Sequence, residues 1–427
     1  MNEMVGDGRP AYRITTLGCR VNRADSLAIE RELLSRGYRE ATSKESPSVW
    51  IINTCAVTAE GARKSRKAVR RGVASGARIL VTGCASGLED WDSEGVDLVF
   101  SNEDKKDIAL ACEVTGGEAT LWSASGLVRV PLKVQDGCTR YCTYCIVPYL
   151  RGAPYSLGVE EVLADAAAIE EAGAGETVVC GIDLGSYRGR DGEDIVDLVS
   201  RLISRAGRMQ FRLSSLELSD IDGMLLDLMA APNELCRHLH LPLQSGDGRV
   251  LSDMGRGYTP DQYKDAVRWI RDTVGEVSVT TDVMVGFPTE TESAFYATAA
   301  MLEELGFSRV HVFRYSPRPG TKAFELGDPV APAEKERRAS VLRGIAWDNA
   351  ARFHARFVGR IIPVLVEAAM SSEPGHLFGR SEGFAGVVLK GDPQLIGRRL
   401  SVRVTSSDAS VIRAEALEDA GTHSTER

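Results

Sequence analysis

Cys138-Thr-Arg-Tyr-Cys142-Thr-Tyr-Cys145 sets three cysteines in one short loop at C-x3-C-x2-C spacing. Thiolates are soft ligands, and iron–sulfur clusters are held by cysteines crowded in this way. Three thiolates satisfy three irons of a cubane cluster and leave the fourth open to a ligand that can take part in chemistry. A structural zinc ion would want a fourth donor, and buried free thiols would not need the spacing. The pattern favours the cluster.

With Tyr144 just before the last cysteine, the loop resembles that of the radical S-adenosylmethionine (SAM) enzymes. In that family the open iron binds the amino and carboxylate groups of SAM.

A second set of cysteines is dispersed. Tyr12–Cys19, Val49–Cys55 and Arg78–Cys84 are apolar runs that each end in a turn carrying cysteine. The first two lead into helical patterns, over 24–36 (Leu27, Ile29, Leu33, Leu34) and 59–71. Repeated strand–turn–helix units predict an open parallel α/β sheet whose strands end along one edge. Cys19, Cys55 and Cys84 would converge there, predicting a second three-thiolate cluster with an open iron. Three core cysteines at strand ends are the alternative.

The triple-cysteine loop needs its own scaffold. Six strand-like runs follow one another: Val130–Gln135, Thr177–Ile182, Gln210–Ser215, Leu239–Leu243, Ser278–Val285 and Arg309–Arg314. Helical patterns such as 158–173 and 260–274 separate them. This βα rhythm predicts a partial (βα)6 barrel with its site at the strands' carboxyl ends, where the loop falls after the first strand. Asp183, Ser186, Ser214, Ser215, Glu217, Gln244 and Asp282 stand at the other strand ends. Together with Tyr144 and Gly181 they are candidate SAM contacts, though turn residues are polar in any case. His238 and His240 read as packed or hydrogen-bonded side chains, and Cys112, Cys180 and Cys236 as core.

The chain has 427 residues, room for roughly two to four domains. Its 43% hydrophobic and 26% charged residues are ordinary for a globular protein. The beginning carries acids and no apolar run, and no stretch of about 18 apolar residues occurs anywhere. A cytoplasmic protein with no membrane partner, and a monomer, is the expectation. An odd count of nine cysteines fits metal binding in a reducing compartment better than disulfides. The net charge of −9 argues against a nucleic-acid partner only in the mean. Locally, Arg63, Lys64, Arg66, Lys67, Arg70 and Arg71 crowd one helical stretch with no acid after Glu60. They read as a phosphate-binding face or a solvated one.

After a basic helix (334–357), short strands at 361–366, 384–389, 400–404 and 411–415 predict a small β-barrel, a kind of fold that often binds RNA. Gly379-Arg380-Ser381 and Arg398-Arg399 could touch phosphates, a plain solvated loop being the alternative. The division expected is 11–125, 128–357 and 358–417, with a disordered tail at 418–427.

Nearly the whole chain resembles the methylthiotransferase family of radical SAM enzymes. The resemblance rests on Thr16-Leu-Gly-Cys-Arg-Val-Asn22, Asn53-Thr-Cys-Ala-Val-Thr58, Thr82-Gly-Cys84, the triple-cysteine loop with Arg151-Gly152, His238–Gly246, Asp282–Pro288 and Tyr315-Ser-Pro-Arg-Pro-Gly-Thr321. The C-terminal barrel is similar to the family's RNA-binding TRAM domain. Arg63-Lys-Ser-Arg66 and Gly181-Ile-Asp-Leu-Gly-Ser-Tyr187 are similar to the branch acting on N6-threonylcarbamoyladenosine at position 37 of tRNA. Sister branches act on isopentenyladenosine in tRNA or on a ribosomal-protein aspartate.

The resemblance implies two [4Fe-4S] clusters, SAM, an electron donor and the tRNA anticodon stem–loop. The cluster on Cys138, Cys142 and Cys145 would cleave SAM to a 5′-deoxyadenosyl radical that takes the adenine C-2 hydrogen. The cluster on Cys19, Cys55 and Cys84 would present the sulfur. The rival from another class is a non-catalytic RNA-binding protein stapled by iron–sulfur clusters.

Overall fold

Continuous β-branched and aromatic runs make buried parallel strands, and the first of them build the N-terminal sheet. The computed structural model describes residues 9–112 and 127–417. The elements are β1 (Ala11–Thr16), α1 (Arg20–Ser35), β2 (Arg39–Glu40), β3 (Val49–Thr54), α2 (Ala59–Val73), β4 (Arg78–Gly83) and β5 (Leu98–Val99). The sheet order is β2-β1-β3-β4-β5, every pairing parallel. β3 lies at the centre and every residue of it is buried. The two outer strands were not foreseen; at two residues each they are too short to carry a period.

The middle of the chain runs β6 (Arg129–Lys133), β7 (Gln135–Asp136), α3 (Val147–Arg151), β8 (Tyr155–Ser156), α4 (Val159–Glu171), β9 (Glu176–Cys180), α5 (Ile195–Arg205) and β10 (Gln210–Leu213). It continues with α6 (Gly223–Ala230), β11 (His238–His240), α7 (Gly248–Asp253), α8 (Pro260–Val274), β12 (Ser278–Val285), α9 (Glu292–Leu305), β13 (Arg309–Arg314) and α10 (Pro332–Ala355). The six expected strands form two parallel ladders, β6-β9-β10 and β11-β12-β13. Bridges Phe211↔Leu235 and Ser215↔His240 join them into one curved wall. It remains an open barrel, and other elements cover its two edges. α10 packs on β13, and α1 packs on β6.

Helix α1 serves both domains. Ile29 and Leu33 face the N-terminal sheet, Leu27 joins the barrel core beside Val130 and Leu132, and Val21 and Ala24 meet Cys180. Its Asp25 is buried at the seam. Lys105 of the N-terminal domain and Lys133 of β6 each reach it at 2.5 Å, and Arg151 at 3.4 Å. Arg151 also takes Asp136 at 2.8 Å. Breaking such a network on one side costs about 3–5 kcal/mol, because a buried charge is left uncompensated.

The C-terminal strands β14 (Ile361–Ala369), β15 (His376–Ser381), β16 (Gly386–Lys390), β17 (Arg399–Ser407) and β18 (Ile412–Ala416) close in the order β14-β15-β16-β18-β17. β15 overturns the solvated-loop alternative for Gly379-Arg380-Ser381. Its inward residues are Leu377, Gly379 and Ser381, so only one large apolar side chain marks the alternation. Gly379 is small because a Cβ there would stand 2.5 Å from Leu365 O.

This barrel closes the floor of the open one. Phe384, at φ 68°, receives the guanidinium groups of Arg380, Arg212, Arg129 and Arg20 at 4.5, 4.9, 5.0 and 5.6 Å from its ring centre. Beside it, Arg212 Nη1 donates to Glu382 O at 2.7 Å. Among the described residues no helix is long and apolar enough to cross a membrane. The tail expected at 418–427 lies outside the described residues.

Candidate active site

The three cysteines of the Cys138–Cys145 loop stand above the carboxyl ends of the barrel strands. β7 and β8 pair at the loop's base, and the Cys138 amide donates to Gly152 O at 3.2 Å. Gly137 is required there: at φ 77°, a Cβ would fall 2.2 Å from Ala153 O. At the far end the Thr143 amide donates to Met254 O at 2.9 Å. Two sulfurs already accept hydrogen bonds, Cys138 from the Arg140 amide and Cys142 from Arg256 Nη1, each at 3.4 Å. Burial pushes the Cys138 thiol up to about 11 and the Cys145 thiol to about 12, so metal must displace protons on loading.

The second set meets at the edge of the N-terminal sheet. Cys19 is the N-cap residue of α1 but its side chain caps nothing, which leaves the sulfur free. Cys55 follows β3; its amide donates to Ser65 Oγ at 2.9 Å. Cys84 follows β4, with its amide on Thr54 O at 3.1 Å. Close approach needs glycine. A Cβ on Gly18, at φ 94°, would lie 3.0 Å from Cys55 Sγ. Burial raises the Cys55 thiol, and the neighbouring Cys84 and Cys19 add to the shift.

Both sets face one cavity of about 510 Å³, a volume suited to a cofactor-sized ligand. Cys138, Cys142, Cys145, Cys19 and Cys84 line it; Cys55, which is buried, does not. Of the nine candidate SAM contacts, Tyr144, Gly181, Asp183, Ser214, Ser215, Glu217, Gln244 and Asp282 line it too; Ser186 does not, and its hydroxyl donates to Asp183 O at 2.7 Å. Among the described residues no three His, Cys, Asp or Glu donors close on a single ion. A cluster asks for sulfurs spread around its corners, one to each iron.

The wall is built for a polar ligand. Ser214 lines it with a buried Oγ that has no hydrogen-bond partner among the described residues. Gly181, just after β9, lines the cavity, and a Cβ there would meet Gln135 Oε1 at 2.7 Å. Gln244 holds φ 65°, and Tyr141 of the loop φ 46°, the kind of strain that collects at working sites. His240 bonds Thr280 Oγ1 at 2.9 Å and reaches Asp282 at 3.2 Å. His238 is buried against Phe384. His238 is packed and His240 is hydrogen-bonded, but His240 also lines the cavity. Cys112 and Cys180 are core, while Cys236 is buried beside the Glu176 carboxylate at 3.8 Å.

The sequence did not single out Arg140 or Arg256. Arg140 Nη2 holds Asp220 at 2.8 Å, and Arg256 ion-pairs with Glu217 and packs over the Tyr258 ring at 5.2 Å. The only available signal for Arg256 was one cation between two glycines, Gly255 and Gly257.

The basic helix α2 is less bare than it read. Arg63 and Lys64 take Glu60 at 2.6 and 3.6 Å, Arg66 takes Glu89 at 2.6 Å and Arg70 takes Glu94 at 2.7 Å. Arg71 lies over Trp50 at 5.4 Å. Glu60 belongs to α2 itself, while Glu89 and Glu94 come from beyond β4, so the reading of an uncompensated face is corrected; Lys67 remains exposed. Arg380 is likewise engaged, by Phe384 and by Glu367 at 3.4 Å. That placement belongs to a domain seam and does not support the phosphate contact.

Comparison with known proteins fits this geometry. Residues 132–302 match the radical SAM superfamily, 11–100 the uncharacterized protein family UPF0004 and 355–417 the TRAM domain. The threonylcarbamoyladenosine tRNA methylthiotransferase MtaB of Bacillus subtilis is 32% identical over 420 residues, 91% of this chain and 92% of that one. The tRNA-2-methylthio-N(6)-dimethylallyladenosine synthase of Pelotomaculum thermopropionicum is 33% identical over 427 residues, 93% of this chain and 95% of that one. A radical SAM methyltransferase from Kitasatospora setae shares the fold, with TM-score 0.57 at 13% identity, over 74% of this chain and 75% of that one. Radical SAM enzymes use SAM and a [4Fe-4S] cluster, and the loop thiols and the polar cavity beside them fit both. With a radical SAM barrel, a TRAM domain and relatives of this similarity along nearly its full length, the chain belongs to the radical SAM methylthiotransferases, enzymes that transfer a methylthio group.

Proposed function

We propose that this enzyme places a methylthio group on C-2 of N6-threonylcarbamoyladenosine at position 37 of tRNA. The observation that carries the reading is the single cavity shared by cysteines of two domains, Cys19 and Cys84 on one side and Cys138, Cys142 and Cys145 on the other. An adenine C-2–H bond is beyond ordinary acid–base chemistry. A reduced cluster with SAM supplies a radical able to take that hydrogen. The chain's part is to hold the reactants: Cys138, Cys142 and Cys145 one cluster, and Cys19, Cys55 and Cys84 a second that carries sulfur. Asp183, Ser215, Glu217, Gln244 and Asp282 orient SAM, with Tyr144 and Gly181 shaping the pocket.

The division at 11–125, 128–357 and 358–417 belongs to this reading, as do the anticodon stem–loop, a cytoplasmic electron donor and a monomer. Lys67 on α2 and the C-terminal barrel offer phosphate contacts. The threonylcarbamoyl substrate rests on relatives such as those from Bacillus subtilis and Thermotoga maritima, named for it. A second reading, the dimethylallyl derivative, has equal support in identity from the Pelotomaculum thermopropionicum relative.

Mass spectrometry of tRNA nucleosides, with and without the protein, tests both. Loss of 2-methylthio-N6-threonylcarbamoyladenosine with its parent accumulating supports the first. Loss of the dimethylallyl product moves the substrate, and no change in either removes tRNA as the target.

A further inference from the structure

The shared cavity carries more basic groups than acids to meet them, and its acids are already engaged. Asp183 accepts from Arg140 Nε at 2.9 Å, Glu217 ion-pairs with Arg256, and Asp282 lies 3.2 Å from His240. Arg151, also on the wall, is held by Asp136 at 2.8 Å. Two basic side chains of the lining are left over, Arg20 and His311.

Arg20 follows Cys19 and is exposed where the cavity reaches α1. Among the described residues it forms no salt bridge and no side-chain hydrogen bond. Its guanidinium carbon stands 5.6 Å from the Phe384 ring centre. An aromatic ring engages the face of a guanidinium and leaves the N–H fork in its plane for another partner. His311, on β13, has its ring 6.0 Å from that of His240. Burial lowers the His311 pKa; Asp282 opposes, and Arg309, His240 and Arg20 deepen the drop. A neutral imidazole still offers one N–H donor.

An unmatched guanidinium in a cavity calls for an anionic ligand. SAM brings one carboxylate, which in radical SAM enzymes binds the open iron. N6-threonylcarbamoyladenosine brings another, because its threonyl group ends in a free carboxylate. The dimethylallyl group is apolar and brings none. We propose, on the tRNA reading above, that Arg20 takes the threonyl carboxylate of the substrate, with His311 as a second donor, and so selects the threonylcarbamoyl nucleoside over the dimethylallyl one. A carboxylate fits the guanidinium fork through two parallel hydrogen bonds. A site built around a polar group rejects the analogue that lacks it, since its own donors are then left unpaired.

The test uses the full chain reconstituted with iron and sulfide without oxygen, as wild type, Arg20→Gln, Arg20→Lys and His311→Gln. Iron per chain is recorded first. Fluorescence anisotropy then follows anticodon stem–loops of one sequence that carry, at position 37, adenosine, N6-threonylcarbamoyladenosine, its methyl ester or dimethylallyladenosine. Wild type should prefer the free acid to the ester and to adenosine by roughly tenfold, about 1.4 kcal/mol. Arg20→Gln should lose that preference and keep its affinity for the adenosine loop, and His311→Gln should weaken the preference. Arg20→Lys should retain part of it, and carries the comparison if the Gln variant fails to fold. A preference that survives in Arg20→Gln overturns the proposal. So does an equal loss on every loop, which would make a backbone phosphate the ligand. Loss of iron in both Arg20 variants with the preference intact assigns the residue to the cysteine site and overturns it too. A wild type that binds every loop alike, or prefers dimethylallyladenosine, overturns it and leaves tRNA as the target; a wild type that binds none removes the tRNA reading and the proposal together.

Discussion

Arg140 Nε donates to both carboxylate oxygens of Asp183, each at 2.9 Å, and so ties the radical loop to the end of β9. The same carboxylate lies 3.8 Å from Cys138 Sγ. Burial raises Asp183 above the usual carboxylate range, with Arg140 opposing the shift. Asp183→Asn keeps the shape but loses the charge. It should load iron normally and bind SAM roughly tenfold more weakly, a cost of about 1.4 kcal/mol. Iron analysis and equilibrium dialysis with SAM check this; unchanged SAM affinity would remove Asp183 from the pocket's working parts.

Gly181 faces Gln135, whose Oε1 accepts from the Asp183 amide at 2.9 Å and whose Nε2 donates to Asp136 O and Gly137 O, each at 2.8 Å. A glutamine so engaged cannot yield to a new methyl group. Gly181→Ala should therefore destabilise the protein by about 1–3 kcal/mol in urea melts and weaken SAM binding as β9 is displaced. A variant that melts and binds SAM like wild type would show that β9 yields without cost.

Asp25→Asn should destabilise the protein by about 3–5 kcal/mol, since Lys105, Lys133 and Arg151 lose their shared counter-ion. Burial alone would raise the Asp25 pKa, but those three cations hold it well below the usual range. A depressed carboxylate contributes stability above its unfolded value, about 3.9, and loses it as pH falls through the folded value. The difference between variant and wild type in urea melts should therefore be flat from pH 5 to 8 and shrink only in strong acid.

His238 gives a pH signature of opposite origin. Burial, then Arg212 and His240, hold its pKa well below the ordinary value. The folded state keeps it neutral, while the unfolded chain takes a proton below about 6.5. Stability should fall by up to about 1.4 kcal/mol per pH unit below that point from this residue alone. His238→Gln should flatten the slope. An identical slope in denaturant melts of the variant would assign it elsewhere.

Much of this was legible in the chain because the signals are local. The six barrel strands each carry their own apolar run, and eight of the nine candidate SAM contacts, all but Ser186, line the cavity from the loop and the strand ends. What escaped depends on partners distant in sequence. Glu89 and Glu94 neutralise α2 only after β4 has folded back beside it. Arg256 meets Cys142 and Glu217 across the mouth of the cavity. β15 hid because Gly379 and Ser381 blank two of its three inward positions. Phe384 gave no sign that four arginines from three domains would gather on one ring.

That gathering has a mechanical consequence. The C-terminal barrel does not swing on a tether; Phe384 and Glu382 fasten it to the floor of the barrel whose opposite end holds the radical loop. Whatever it grips is held at a set span from the reactive cavity, like work clamped in a fixed-jaw caliper. Length and shape of the gripped body then become criteria of selection in their own right, before any group on it is read.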